Sequence, residues 1–149
     1  PVAATSGTDT AFADGTLFLT SVYVPENFTA TGAGFLVGSV GGTDKVIVNV
    51  WTSAGVHVIG STVTDGGTTA GTAAQNQEIN FTAPTALTGP RRYLIGVSAN
   101  GATAKLRTRI AYTGGKAFAG SVAQTHAATT TVVAPSAFAA DKGPYADLF

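Results

Sequence analysis

Apolar and polar residues alternate with a period of two along most of this chain, and no stretch carries the 3.6-residue period of a helix. The clearest case is Gly41 to Val63, GGTDKVIVNVWTSAGVHVIGSTV. Val46, Val48 and Val50 fall on one face of a strand, and Lys45, Ile47, Asn49 and Trp51 on the other. Thr52–Ser53–Ala54–Gly55 reads as a tight turn, after which Val56 and Val58 continue opposite His57 and Ile59. A lone hairpin is marginal in water, so other segments are expected to cover its apolar face.

Taken in order, the same pattern predicts strands at Leu17 to Val24, ended by Pro25, and at Phe28 to Val37, where Gly32 and Gly34 suggest a bulge. Thr64 to Asn76 reads as a polar loop, Gln77 to Thr82 as a short strand, and Ala83 to Pro90 as loop chemistry bracketed by prolines. Arg92 to Ala99 is a further strand, and Asn100–Gly101 the best local hairpin signal, leading into Lys105 to Tyr112. Two short strands are expected at Ala117 to Ala123 and Thr129 to Ala134. About eight antiparallel strands make the expected fold all-β: a β-sandwich, jelly roll first and immunoglobulin-like second. Residues 1–15 read as an N-terminal arm, 16–134 as the sandwich, and 135–149 as an extended tail that has lost the alternation. Aromatic residues on such ends are expected to be anchors, either in a groove of their own domain or on a partner, namely Phe12, Phe138, Tyr145 and Phe149, with Leu148 beside them.

Only 11% of the 149 residues are charged, eight basic against eight acidic. Ordinary soluble domains carry ~25%. So little charge points to a surface partly given to contact with other subunits. The neutral balance argues against broad nucleic-acid or anionic-membrane binding. No run approaches the ~18 apolar residues of a membrane span, and the first residues carry no signal-peptide pattern. With no Cys, thiolate chemistry and Cys-based zinc sites are excluded, while the redox compartment stays open.

Reactive chemistry finds little to work with. Ser121, His126 and Asp141 occur in triad order, but no G-x-S-x-G elbow supports them. Glu26, Asp44, Asp65 and Glu78 sit mostly in Gly- and Thr-rich loops, where acids cap turns. His57 and His126 are the only histidines, and neither has a second ligand at metal spacing. Neither enzymatic activity nor a cofactor or metal is expected. One constellation stands out: Lys105, Arg107 and Arg109 alternate on a predicted strand and share a face, either solvated or presented to an acidic protein surface or an anionic glycan. Trp51 shares a face with Ile47 and is expected in a core or interface rather than as a sugar platform.

The phrases GTLFLTSVYVP, VGSVGGTDKVIVNVWTSAGV, GPRRYLIGVSANGATAKLRT and AGSVAQT, with the tail AADKGPYADL, resemble a family of small phage-encoded virion proteins rich in Ala, Thr and Gly. The resemblance implies a jelly-roll protein that decorates or cements a capsid shell, as a homotrimer on the capsid exterior, after synthesis in the host cytoplasm. Its implied partners are the major capsid protein or other virion subunits, and the interface residues are Phe12, Lys105, Arg107, Arg109, Phe138, Tyr145, Leu148 and Phe149. The alternatives are a tail-fibre or adsorption-apparatus domain and, outside phage biology, a carbohydrate-binding module.

Overall fold

The structure, a computed structural model, describes residues 8–109, 119–129 and 143–149. They form twelve strands: β1 (Thr8–Ala11), β2 (Thr16–Val24), β3 (Phe28–Leu36), β4 (Lys45–Thr52), β5 (His57–Gly60), β6 (Thr68–Thr69), β7 (Asn76–Leu87), β8 (Arg91–Ala99), β9 (Lys105–Arg109), β10 (Ala119–Ala123), β11 (Gly143–Pro144) and β12 (Ala146–Leu148). The only helical element among the described residues is a 3₁₀ turn at Thr64–Gly66. The chain is all-β.

All three sheets are antiparallel. The largest runs β10-β2-β8-β4-β5, with β6 also on β4; the others run β1-β9-β11 and β12-β3-β7. Single bridges, Val37 to Leu106 and Ser61 to Phe81, tie β3's end to β9 and β5's end to β7. One apolar cluster collects Phe18, Phe35, Val46, Val48, Val50, Ile79, Phe81, Ile95, Val97 and Leu106 from all three sheets. The valines at 46, 48 and 50 therefore face the core as their alternation predicts. The other face of the large sheet carries a second, smaller cluster of Leu17, Leu19, Trp51 and Leu94. Burial on both faces makes the middle of β4 and the end of β8 nearly continuous in apolar residues.

The turn of the central hairpin forms as its sequence predicts, but the facing after it does not: Val56 is exposed, and Ile59 rather than Val58 stands across from core-facing Val50. Gly55, at φ 84°, closes the turn, with its N–H on Thr52 O and the Thr52 N–H on Val56 O. A bulge interrupts the pairing between Val50 and Trp51.

Four local expectations need correction. β7 runs on to Leu87 through the predicted loop, because Pro84 falls where the β3–β7 register shifts between Ala30 and Gly32, and β7 is an edge strand. The predicted loop 64–76 carries the 3₁₀ turn and β6. Asn100–Gly101 does not make a β8–β9 hairpin, since β8 already has β2 and β4 on its two sides. Asn100 instead locks onto Lys45 (N–H to its O at 3.0 Å, Oδ1 from its N–H at 2.8 Å), and buried Asp44 accepts the N–H groups of Thr103 and Ala104, both at 2.7 Å. The strand count exceeds eight because short strands form inside both predicted arms. The expected strand at Thr129 to Ala134 lies outside the described residues beyond Thr129.

A Cβ at Gly60 would overlap Asn49 Oδ1, the side chain of a residue only 2% exposed. Gly60→Ala is expected to lower the free energy of unfolding by about 1–3 kcal/mol. Gly71→Ala, whose Cβ meets nothing closer than 3.4 Å, should change it by less than about 0.5 kcal/mol. Urea denaturation of both variants checks the pair.

Candidate functional site

Both ends of the described chain are built into the body. The Phe12 N–H donates to Ala104 O, and its ring, 1% exposed, packs edge-on against Phe18 and Phe35 with centroids 5.9 and 6.5 Å away. Expected as an anchor at an interface, Phe12 is a core residue of its own domain: a large apolar ring gains most from burial there. The tail lies along β9 and then β3 as a splint. Tyr145 makes the changeover, its N–H on Arg107 O and its C=O receiving the Leu36 N–H. Ala146 and Leu148 pack against the main core. Phe149 closes the run, its O accepting from Thr31 and Gly32 N–H and its N–H donating to Gly32 O. Phe138 lies outside the described residues.

The basic stripe follows β9. Arg107 stands directly across from Asp9 of β1, with its Nη1 3.2 Å from Asp9 Oδ1. The Ser39 hydroxyl holds the Asp9 carboxyl below the usual carboxylate range; its desolvation opposes this, and the Ser39 N–H and the charges of Arg107 and Lys105 add to it. Lys105 stands across from Ala11, and Arg109 across from Gly143. The middle cation of the stripe is thus engaged within the chain.

The histidines are structural. His57 donates from Nε2 to Asn49 Oδ1 at 3.1 Å and sits edge-on to Trp51; burial pushes its pKa down. His126 donates from Nε2 to Gly66 O at 2.7 Å, so in the neutral ring Nδ1 accepts from Ser98 Oγ, 3.3 Å away. Ser98 is itself buried. Asp141 and the side chain of Ser121 lie outside the described residues. Among the described residues no three His, Cys, Asp or Glu side chains cluster as metal ligands. Trp51 is fully buried and offers no platform.

Two surfaces remain. The first is at the β2–β3 end, where Tyr23 (55% exposed) and Phe28 (38%) flank a hollow of about 270 Å³ whose lining includes Pro25, Glu26, Asp147 and Leu148. The Arg92 guanidinium lies 5.8 Å from the Tyr23 ring centroid. The second is the outer face of the β12–β3–β7 sheet. Register places Tyr145, Asp147 and Phe149 beside Leu36, Gly34 and Gly32, and these beside Asn76, Glu78 and Asn80. The Phe149 ring lies over Gly32, where a Cβ would collide with it. A Cβ on Gly34 would come within 2.5 Å of Asp147 Oδ1 and 3.2 Å of Asn76 Nδ2. A hollow of about 260 Å³ opens between Leu36, Asn76, Tyr145 and Asp147. The alternation Tyr145–Asp147–Phe149 against Ala146–Leu148 is the sequence signal for this face, and the reading of 135–149 as strandless passes over it.

No family model matches the sequence, and neither a curated protein nor a solved structure matches it.

Two predictions follow from the way the ends are held. A carboxyl with a depressed folded-state pKa contributes stability above its unfolded value, about 3.9, and loses it as pH falls through the folded value. Exchange of the Thr10 and Phe12 amides should therefore quicken below about pH 4, and Asp9→Asn should remove that step. Deleting residues 143–149 breaks five backbone hydrogen bonds named above. At ~1 kcal/mol net each the loss is about 5 kcal/mol, or roughly 10–20 °C in melting temperature. Calorimetry showing an unchanged transition would mean that the tail is not part of the fold.

Proposed function

We propose that this chain is a structural virion protein: a β-sandwich of jelly-roll type that decorates or cements a phage capsid shell by binding neighbouring capsid subunits, as a homotrimer. The observation that carries the reading is where the apolar surface lies. The large hydrophobic side chains most exposed among the described residues are Tyr23, Phe28, Val56 and Val63. The two aromatics stand together at the β2–β3 end, beside Arg92 and a hollow. Aromatic residues and Arg around a pocket are the composition of binding hot spots.

The mode of attachment differs from two clasping arms. Phe12 and Leu148 pack into the body itself, the backbone of Tyr145 and Phe149 is paired within it, and Arg107 is paired with Asp9. The rigid rim at Tyr23 and Phe28 makes the contact. Repetition over a symmetric shell turns a modest interface into durable attachment, since each copy reuses the same patch. The sequence resemblance to phage virion proteins supports this setting, as does the low charge.

The double variant Tyr23→Ala, Phe28→Ala is expected to keep its melting temperature while its occupancy on native particles falls roughly tenfold or more, the loss of one hot spot. Electron microscopy of particles carrying either form reads the occupancy. Full occupancy of the double variant would remove the rim from the interface. Absence of the chain from purified particles would remove the virion role altogether.

A further inference from the structure

We propose that the outer face of the β12–β3–β7 sheet binds a short, neutral oligosaccharide. This goes beyond a structural role and does not depend on how the body is held on a shell. The tail strand presents Tyr145 and Phe149 four residues apart on one face, ~13 Å at ~3.3 Å per residue. Between them stands Asp147, exposed, lining both the 260 Å³ and the 270 Å³ hollows. The neighbouring strand contributes Gly34 and Gly32, whose missing side chains let the Phe149 ring lie over Gly32 and Asp147 and Asn76 reach over Gly34, so these side chains form the middle of the face. The far wall is a row of exposed polar groups from β7, Asn76, Glu78 and Asn80.

These groups suit a sugar chain better than other ligands. Carboxylates and amide oxygens accept from hydroxyl groups, and amide N–H groups donate to them. The apolar C–H face of a pyranose matches an aromatic ring, which is apolar on its face and carries a negative quadrupole there. The positions of this face hold two carboxylates and no cation. A polyanion such as a nucleic acid or a sulfated glycan would meet like charge. An apolar protein surface would strip water from Asp147 and Glu78 without giving them partners, which opposes binding. A polyhydroxyl ligand can donate hydrogen bonds to both carboxylates. Between the strands the backbone groups are paired across the sheet, so what the face itself offers is side chains.

The test is titration calorimetry of the whole 149-residue chain with neutral tetrasaccharides of glucose, mannose, galactose and N-acetylglucosamine, alongside decalysine and heparin. At least one tetrasaccharide is expected to bind at millimolar concentration or below, and heparin not at all. Tyr145→Ala should weaken that binding about tenfold or more, as should Asp147→Asn, the effect of roughly one lost hydrogen bond or stacking contact. Val56→Thr, on β5's approach, should leave it unchanged. If Tyr145→Ala perturbs the tail, Asp147→Asn and Asn80→Ala, both at exposed positions, carry the test at unchanged melting temperature. Failure of every tetrasaccharide overturns the proposal, as does binding that survives the Asp147 and Asn80 variants. Salt-sensitive binding of decalysine with no sugar bound would also overturn it and assign the face to a basic protein segment.

Discussion

Pairing of the tail strand across the junction of β9 and β3 is the interaction on which the described architecture most depends. Those two strands belong to different sheets and meet beyond the end of β3, at the Val37–Leu106 bridge and the Gly38 N–H on Lys105 O. A buried backbone N–H or C=O without a partner costs about as much as a lost hydrogen bond. Residues 143–149 meet this requirement on both strands in turn, and Tyr145 serves each within a single residue. The same stretch sends Ala146 and Leu148 into the core and Tyr145, Asp147 and Phe149 outward. One short segment thereby closes the fold and builds its most distinctive surface.

The N-terminal end is tied down by different means. β1 contributes only four residues of ladder, but Phe12 follows it into a cage of aromatic edges, and Asp9 pairs with Arg107 on the outside. Hydrophobic burial supplies the larger part of the hold, since an ion pair at partial exposure contributes little. The charge pair instead fixes register: a one-residue slip of β1 would turn Phe12 outward and set Asp9 beside Leu106 or Thr108. Low overall charge makes each such pair more consequential for which edge meets which.

Function, on this view, is distributed by face. The large sheet is buried on both sides, which leaves Trp51 and the Ser98–His126–Gly66 contacts as structural features. The β2–β3 end presents aromatic surface suited to a protein neighbour. The β12–β3–β7 face presents polar groups beside the Tyr145 and Phe149 rings, suited to a hydrated, uncharged ligand. Separate faces let a chain of this size hold a support and still offer a free surface outward.

Strand identity was legible in the residues because alternation of β-branched and polar side chains reports local geometry directly. The 45–60 hairpin, the turn closed by Gly55, the bulge near Gly32 and the inward set of Val46, Val48 and Val50 all belong to that level. Partner choice was not legible. Asn100–Gly101 has the chemistry of a hairpin turn, yet β8's two edges were already taken by β2 and β4, a fact about distant segments. Pro84 looks like a loop residue until the edge position of β7 makes a missing N–H harmless. The N-terminal end looked like an arm because its small polar residues carry no pattern of their own, and the tail because its alternation spans only Tyr145 to Phe149; the open edges of β9 and β3 made strands of both. Local sequence therefore determined which segments extend and which side chains share a face. The tertiary structure decided which edges meet, because backbone hydrogen bonding is the same for every residue and is allotted by what else is already paired.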